Sequence, residues 1–357
     1  MKTTIVHDAF LLEHFYTKCF EKYPEYEIAH SVQFGSSDRG EMRDPIHLME
    51  RNGPDTLPAP EALLEAIEDT EILMVHLCPV NRPVIERAKN LKVILTNRGG
   101  IENIDLQCAA EHGIAVLNNP AHNANSVAEL TIGLMLAETR NIARTHANMV
   151  KGVWQEHYNN VGAVYELRGR TIGIIGFGNI GRRVARKLQA FDCNILVHDS
   201  WVSPEDPDLE KFGCKWVPLD ELMENSDIVT LHLRGDDQLL FEKDLRKMKK
   251  GAYFINSARS HLIDNECIYD MLRSGHLMGA AFDVFTSEPL HPDHPLLTMD
   301  NVTMTNHRGG DTVNCYSDSP AMLLEECNRL LAGEEPKFFI NKPHLEKLGV
   351  KLRLNEK

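Results

Sequence analysis

Short apolar runs alternate with longer amphipathic segments along most of the chain. In the first third the runs are TTIVHD, YEIAHS, EILMVHL, KVILTN and IAVLNN, and helix-like segments such as PEALLEAIED and NRPVIERAKN lie between them. Brief apolar runs bounded by polar turns predict buried strands, whereas the longer segments have helical periodicity. Strands that alternate with helices predict a parallel, doubly wound sheet.

The same alternation returns in the second half of the chain, after the segment TIGIIGFGNIG at 171–181. Its predicted strands are IVTLHL, YFINSA, MGAAFDV and VTMTN. The segment SPAMLLEECNRLLAG predicts a final helix, with Pro320 near its start and Gly333 just past its end. We therefore expect an α/β protein with two doubly wound parallel-sheet domains.

Two segments interrupt this pattern. The long polar stretch Phe34–Pro60 predicts an exposed surface loop, with a functional flap over a ligand as the alternative. Ser126 and Glu129 have capping-box spacing and predict the start of a long helix. Because that helix is apolar on several sides, we expect it to join two domains or to lie in a subunit interface.

Composition limits the classes of function. A chain of 357 residues suits about two domains. The net charge of −14 disfavours binding to nucleic acid or to an anionic membrane, since both would repel it. Eight cysteines without CxxC pairing indicate free thiols in a reducing compartment. We found no signal-peptide core, no membrane-spanning run and no metal-ligand spacing, so we expect a cytoplasmic protein without a metal site.

The segment at 171–181 has the layout of a dinucleotide-binding motif. Gly176, Gly178 and Gly181 follow an apolar strand and precede a helix, and Asp199 ends the next strand. Gly176 would permit the tight turn, Gly178 the approach of a pyrophosphate, and Gly181 close packing of the helix. The Asp199 carboxylate would bind the adenosine ribose and repel a 2′-phosphate, which favours NAD over NADP.

Three polar residues follow successive strands of the second half. Arg259 comes after YFINSA, Glu288 comes shortly after AAFDV, and His307 comes after VTMTN. Arginine can bind a carboxylate and polarise a carbonyl, histidine can exchange the hydroxyl proton, and a glutamate beside the histidine stabilises the imidazolium. Each alone is more often a surface ion-pair partner or a structural residue. Together, behind a dinucleotide motif, they suit hydride transfer to or from an alcohol that carries a carboxylate.

At this point the chain resembles the D-isomer-specific 2-hydroxyacid dehydrogenases, which include phosphoglycerate dehydrogenases and glyoxylate/hydroxypyruvate reductases. The resemblance covers about Val75 to Asn341. It lies in the motifs GGIENIDLQCAAEHGIAVLNNP, NSVAE, GFGNIGRRVARKL, FINSAR, AFDVFTSEPL and VTMTNHRGG. It implies NAD-dependent interconversion of a D-2-hydroxyacid and its 2-oxoacid.

The resemblance also implies roles for individual residues. Arg259 would bind substrate, His307 would be the acid/base, and Glu288 would pair with His307. The backbone amides of Arg98, Gly99 and Gly100 would hold the substrate carboxylate. The implied cofactor contacts are Asn179 and Ile180 on the pyrophosphate, Asp199 on the ribose, Ser257 and Ala258 through their backbone, Asp283 at the nicotinamide amide, and the strand-end segment from His307 to Gly310.

The family layout implies a Rossmann cofactor domain inserted into a flavodoxin-like substrate domain, with the active site in the cleft between them. The expected limits are 1–117 for the first segment of the substrate domain, 118–315 for the cofactor domain, and 316–357 for the return with a C-terminal tail. The extension at 342–357 goes beyond the usual end of the family, and we leave open whether it is disordered or reaches a neighbouring subunit. Homodimers are usual in the family, so we expect one here.

Several positions depart from the family pattern. Ser260 replaces a glycine after the arginine, Asn306 replaces a proline before the histidine, and Arg234 replaces a proline near the adenine pocket. His76 occupies the position of a phosphate-binding arginine in phosphoglycerate dehydrogenases, so we expect it to bind substrate and expect 3-phosphoglycerate less. The alternative function is a non-enzymatic, NAD-sensing binding protein like the corepressors of the family. Formate dehydrogenase is disfavoured because it has glutamine where Glu288 stands.

Overall fold

The computed structural model describes residues 1–160 and 164–355, with only the backbone of Arg43. Residues 161–163 of the predicted cofactor domain and the last two residues of the predicted tail lie outside this description. The chain forms two compact units, one of residues 1–122 and 312–357 and the other of residues 123–311. The domain limits inferred from the sequence, 118 and 315, stay a prediction.

The first unit is built on five parallel strands in the order β2-β1-β3-β4-β5. The strands are β1 Lys2–His7, β2 Glu27–Gln33, β3 Ile72–Val75, β4 Val93–Thr96 and β5 Ala115–Asn118. The helices between them are α1 Glu13–Phe20, α2 Arg39–Asn52, α3 Glu61–Ala66, α4 Arg82–Arg87 and α5 Leu106–Glu111. Every residue of β3, β4 and β5 is buried, as apolar strands covered on both faces require. The strand order is flavodoxin-like, which confirms that prediction.

The second unit begins with two helices, α6 Ala124–Thr139 and α7 Ile142–Val150. Its seven parallel strands follow the order β12-β11-β10-β9-β6-β7-β8. The strands are β6 Thr171–Ile175, β7 Asn194–His198, β8 Cys214–Trp216, β9 Ile228–Leu231, β10 Tyr253–Asn256, β11 Gly279–Phe282 and β12 Val302–Met304. The helices are α8 Asn179–Leu188, α9 Pro207–Lys211, α10 Leu219–Asn225, α11 Glu242–Leu245 and α12 Asn265–Arg273. This is the Rossmann order, and its switch point lies between β6 and β9, where such sheets bind ligands.

The chain then returns to the first unit through α13 Val313–Ser317, α14 Ser319–Leu331 and α15 Lys342–Leu348. Helix α14 confirms the helix predicted for this segment, with Pro320 in its first turn, but it is not the final helix because α15 follows it. The described part of the C-terminal extension is ordered, and its contact with a neighbouring subunit stays a prediction. Leu345 of α15 is buried, and Arg353 N donates a hydrogen bond to Gly113 O at 3.0 Å. The extension therefore packs on the first unit of its own chain.

Two local predictions were wrong. Phe34–Pro60 is not a loop throughout, because α2 occupies its middle, with Asp38 accepting hydrogen bonds from the first amides of the helix. The predicted capping box is also absent. Helix α6 begins at Ala124, so Ser126 lies inside it, and Glu129 pairs with Lys187 at 2.9 Å instead.

Candidate active site

The glycine-rich turn connects β6 to α8 at the switch point of the second sheet. Gly176 has φ of +95°, and a Cβ there would lie 2.6 Å from the backbone of His232, which follows β9. A Cβ on Gly181 would lie 2.0 Å from Gly176 O, so only glycine lets α8 approach the turn this closely. A Cβ on Gly178 would meet nothing within 4 Å. Open space over Gly178 is what an approaching pyrophosphate needs.

The first turn of α8 and the end of β7 complete this half of the site. Asn179 is exposed and Ile180 half-buried, so the free N–H groups at the helix N-terminus face a region that an anion can reach. Asp199 is buried, and its carboxylate accepts hydrogen bonds from Phe177 N and Trp201 N, each at 2.7 Å. Since a carboxylate offers about four acceptor positions, about two remain for the hydroxyls of a ribose. These residues therefore fit NAD.

The loop after β10 carries Arg259, and Asn256 fixes its shape. Asn256 is fully buried, accepts a hydrogen bond from Ala258 N at 3.0 Å, and donates one to Arg259 O at 3.1 Å. Ser257 Oγ lies 2.7 Å from Thr131 Oγ1 on α6. Arg259 itself is exposed, and its Nη1 donates to Ala258 O at 2.8 Å. A rigid loop therefore presents a guanidinium that can meet a carboxylate.

Glu288 and His307 form a carboxylate–imidazole pair. His307 Nδ1 lies 2.7 Å from Glu288 Oε2, and both side chains are partly exposed. Glu288 Oε1 accepts a hydrogen bond from Phe285 N at 3.0 Å, which fixes the carboxylate. Because Nδ1 is taken by Glu288, Nε2 is the ring atom left to exchange a proton with a substrate.

Asp283 organises the segment that carries His307. Its buried carboxylate accepts hydrogen bonds from Thr305 Oγ1 at 2.6 Å, Arg308 N at 2.7 Å and Gly309 N at 2.8 Å. His307 has φ of +56°, a backbone conformation that non-glycine residues rarely adopt. The bonds to Asp283 hold that conformation, so Asp283 positions His307. The carboxylate of Asp283 has about one acceptor position left. The predicted contact of Asp283 with the nicotinamide amide stays a prediction.

Gly310 lies near this segment and is half-buried, and a Cβ there would lie 3.4 Å from the Asn123 side chain. Its predicted role in cofactor binding stays a prediction.

The loop after β4 in the first unit carries the predicted carboxylate-binding residues. Two residues at the end of β5 bond to the carbonyl groups of this loop: Asn119 N donates to Arg98 O at 3.0 Å, and Asn118 Nδ2 donates to Gly99 O at 2.9 Å. Among the residues that the structure describes, the backbone amides of Gly99 and Gly100 donate to no protein acceptor. They are therefore available to an anion.

His76 directly follows β3 in the same unit and is buried beside Asp8, at 2.9 Å from its Oδ2. Sequence reasoning missed Asp8, as it missed Asn256. Each is a polar residue at the end of an apolar strand, which is the one signal that could have revealed them.

Three properties of the rest of the molecule bear on function. In residues 1–160 and 164–355, no group of three His, Cys, Asp or Glu side chains could hold a metal ion. Within the same parts of the chain, no helix is both long enough and apolar enough to cross a bilayer. All eight cysteines are free thiols, as predicted.

Comparison with known proteins places this site in context. The protein-family model described as the NAD binding domain of the D-isomer specific 2-hydroxyacid dehydrogenases matches residues 132–309. The chain is 38% identical to a D-3-phosphoglycerate dehydrogenase of Methanocaldococcus jannaschii over 81% of this chain and 55% of that protein. It is 37% identical to a glyoxylate reductase of Thermofilum pendens over 85% of this chain and 91% of that protein. The second unit is thus an NAD-binding domain.

A solved structure agrees in fold. The NAD-complexed D-isomer specific 2-hydroxyacid dehydrogenase of Lactobacillus delbrueckii ssp. bulgaricus superposes with a TM-score of 0.72, covering 95% of this chain and all of that chain. At 20% identity this likeness shows the fold alone. The chain spans about half the length of the phosphoglycerate dehydrogenase that it matches and nearly all of the glyoxylate reductase.

Proposed function

Because the chain belongs to the D-isomer specific 2-hydroxyacid dehydrogenase family, we propose that it interconverts a D-2-hydroxyacid and its 2-oxoacid with NAD. The observation that carries this proposal is the Glu288–His307 pair at 2.7 Å, on a sheet whose switch point holds the glycine-rich turn. Such a pair is an acid/base fixed in one orientation. The NAD-sensing alternative is not favoured, since the relatives reported above are named as enzymes.

The reduction assigns a task to each side chain. Bound NADH supplies the hydride. Arg259 binds the carboxylate of the 2-oxoacid. Glu288 stabilises the imidazolium form of His307, and His307 Nε2 then donates its proton to the carbonyl oxygen. In the oxidative direction, His307 takes the hydroxyl proton back.

The roles of the cofactor-binding residues follow the same geometry. The amides at the start of α8 would hold the pyrophosphate, and Asp199 would accept hydrogen bonds from the ribose hydroxyls. A 2′-phosphate would meet the negative charge of Asp199. We therefore propose that NAD is used in preference to NADP.

We also propose that the protein is a homodimer. Helix α7 has no buried residue, and the exposed fractions of Ile142, Val150 and Trp154 are 56%, 73% and 77%. Such an apolar surface is typical of an interface, and a second copy of the chain is the occupant expected from the family. Sedimentation of the wild type should give twice the chain mass, and Trp154→Glu should give the chain mass; a monomeric wild type would overturn this assembly.

The activity is tested by following NADH absorbance with a panel of 2-oxoacids. We expect turnover of at least one acid, and we expect Arg259→Ala and His307→Ala each to reduce it at least about a hundredfold. His291→Ala is the matched control, because His291 is an exposed histidine of the same unit. Tight NADH binding without turnover of any acid would overturn the proposed activity.

A further inference from the structure

A cavity of about 110 Å³ lies in the second unit, at the end of the sheet opposite the glycine-rich turn. Its lining includes the residues just before β6, β9, β10 and β11, which are Arg170, Asp227, Ala252 and Met278. Because these strands are parallel, their amino ends lie together, and the turn at Gly176 and the loop of Arg259 lie beyond their carboxyl ends. Pockets for cofactors or drug-sized ligands measure about 300–1,000 Å³. The cavity is therefore separate from the proposed active site and suits only a small molecule.

The lining of the cavity has more cations than carboxylates, although the whole chain has a net charge of −14. The charged side chains in the lining are Arg170, Lys249, Lys250, Asp227 and Glu166. Lys249 Nζ lies 2.6 Å from Asp227 Oδ1. Glu166 Oε2 lies 3.3 Å from Arg168, which is outside the lining. Both carboxylates therefore already have a cation as partner.

Asp227 is committed to partners other than Arg170. Its Oδ1 accepts the hydrogen bond from Lys249, and its Oδ2 accepts one from Thr171 N at 2.9 Å. Burial alone would raise the pKa of Asp227. The two hydrogen bonds, followed by the charges of Lys249 and Arg170, outweigh burial and lower this pKa. Asp227 is therefore an anion whose two oxygens are both bonded, and it leaves the guanidinium of Arg170 without a hydrogen-bond acceptor.

Arg170 is fixed in position but not neutralised. Its guanidinium carbon lies 3.8 Å from the centre of the Tyr165 ring, a cation–π contact that covers one face of the planar group. The side chain is half-buried. Within residues 1–160 and 164–355, its guanidinium N–H groups have no acceptor and no carboxylate pairs with it. The edge of the guanidinium is therefore available to a ligand.

The free groups of the cavity match an oxyanion. A guanidinium binds a carboxylate or a phosphate through two parallel N–H···O bonds, and an ammonium group adds a point charge. Lys250 supplies the ammonium group, since it is exposed and forms no ion pair with any residue that the structure describes. Partly burying a guanidinium without an acceptor costs free energy, which an anion would recover. Two unmatched cations in one small cavity therefore suit two negative charges.

We propose that this cavity is a second binding site of the protein and that its ligand is a small dianion, with either two carboxylate groups or one phosphate group. Arg170, held by Tyr165, binds an oxyanion group through its planar edge, and Lys250 neutralises the remaining charge. The site does not depend on the proposed dehydrogenase function, because it shares no residue with the active site.

Two other places where an anion could bind must be closed before the cavity is tested. NADH fills the cofactor end of the sheet, and Arg259→Ala removes the guanidinium proposed to bind the 2-oxoacid. Malonate, inorganic phosphate and acetate are each titrated calorimetrically into this NADH-loaded variant, with sodium chloride keeping the ionic strength constant. We expect malonate or phosphate to bind at least about tenfold more tightly than acetate. The tighter of the two identifies the class of ligand, and binding of neither would overturn the proposal.

Further substitutions in the same NADH-loaded protein assign the binding to the cavity. Arg170→Gln should weaken the tighter dianion at least about tenfold. Lys250→Gln should weaken it at least about threefold and leave acetate within about twofold. Arg186→Gln is the matched control, because Arg186 is an exposed arginine of the same unit without an ion pair among the described residues, and it should change no affinity.

The exposed position of Lys250 keeps the test valid if Arg170→Gln fails to fold. Removing an exposed side chain that pairs with no described residue should leave the fold intact, and the Tm of each variant checks this. Dianion affinities in Arg170→Gln and Lys250→Gln equal to that of Arg186→Gln would place the anion outside the cavity and overturn the proposal.

Discussion

His307 Nδ1 lies 2.7 Å from Glu288 Oε2 in the second unit. The other oxygen of this carboxylate is bonded to the backbone amide of Phe285, so the pair has one orientation. A charged carboxylate beside an imidazole favours the imidazolium that must donate the proton, and it leaves Nε2 free to do so. The relationship therefore links a local loop structure to the chemistry proposed for the site.

Replacing Glu288 by glutamine should slow the reaction without weakening substrate binding. Glutamine can still accept a hydrogen bond from His307 Nδ1, although its NH₂ cannot accept the one from Phe285 N, and it removes the charge that stabilises the imidazolium. We expect kcat for 2-oxoacid reduction to fall about tenfold to a hundredfold, with KM within about threefold. Steady-state kinetics checks this, and an unchanged kcat would contradict the role of the pair.

Asp283→Asn should weaken the hold on His307. An asparagine NH₂ cannot accept the hydrogen bonds that Arg308 N or Gly309 N donates to the carboxylate, so a buried amide loses its partner. We expect a loss of about 1–3 kcal/mol in the free energy of unfolding, together with a lower kcat. Urea denaturation and kinetics measure the two effects. Asp293→Asn, at a side chain that is 92% exposed, should change neither.

Asp199→Asn should relax the choice of cofactor. The amide keeps one acceptor for a ribose hydroxyl but removes the negative charge that repels a 2′-phosphate. We expect the ratio of kcat/KM for NADH to that for NADPH to fall at least about tenfold. Asp199 also accepts a hydrogen bond from Phe177 N, so the Tm of the variant is measured to detect any loss of stability. A wild type that prefers NADPH would contradict the assigned role.

Acid should destabilise the first unit through His122. Its pKa in the folded protein is lowered to about 4, first by burial and then by the charge of His76, whereas an unfolded histidine titrates near 6.5. Only the unfolded state binds this proton between those values. The stabilisation is therefore complete above about pH 6.5 and is lost as the pH falls toward 4.

His122→Gln measures this contribution. Between pH 7 and pH 5 the wild type should lose about 2 kcal/mol more unfolding free energy than the variant. Urea denaturation at the two pH values checks the difference. Identical losses in the two proteins would show that His122 is not neutral in the folded state.

Elements that depend on local sequence could be predicted. Apolar runs such as those of β3 and β9 can be buried only inside a sheet, and the tight turn at Gly176 requires a glycine whatever the remainder of the chain does. For the same reason the residues beyond the strand ends, Arg259 and His307 among them, could be named in advance. The alternation of strands and helices predicted parallel sheets, whereas the flavodoxin-like and Rossmann layouts were expected only from the resemblance to the family.

Elements that depend on tertiary packing could not be predicted. Helix α2 contains Pro45 and many charged residues, and it is stabilised by burial of Met42, Ile46 and Met49 along one face. Strand β8 has three residues and forms by pairing with β7. Asp8 meets His76 across 68 positions of sequence, a separation at which no local pattern gives a signal.

The most direct test of the account is the chirality of the product. Wild-type protein is incubated with NADH and hydroxypyruvate, beside His307→Gln, and the glycerate formed is resolved by chiral chromatography. The account predicts D-glycerate alone from the wild type and almost none from the variant. L-glycerate, a racemate, or equal yields from the two proteins would contradict it.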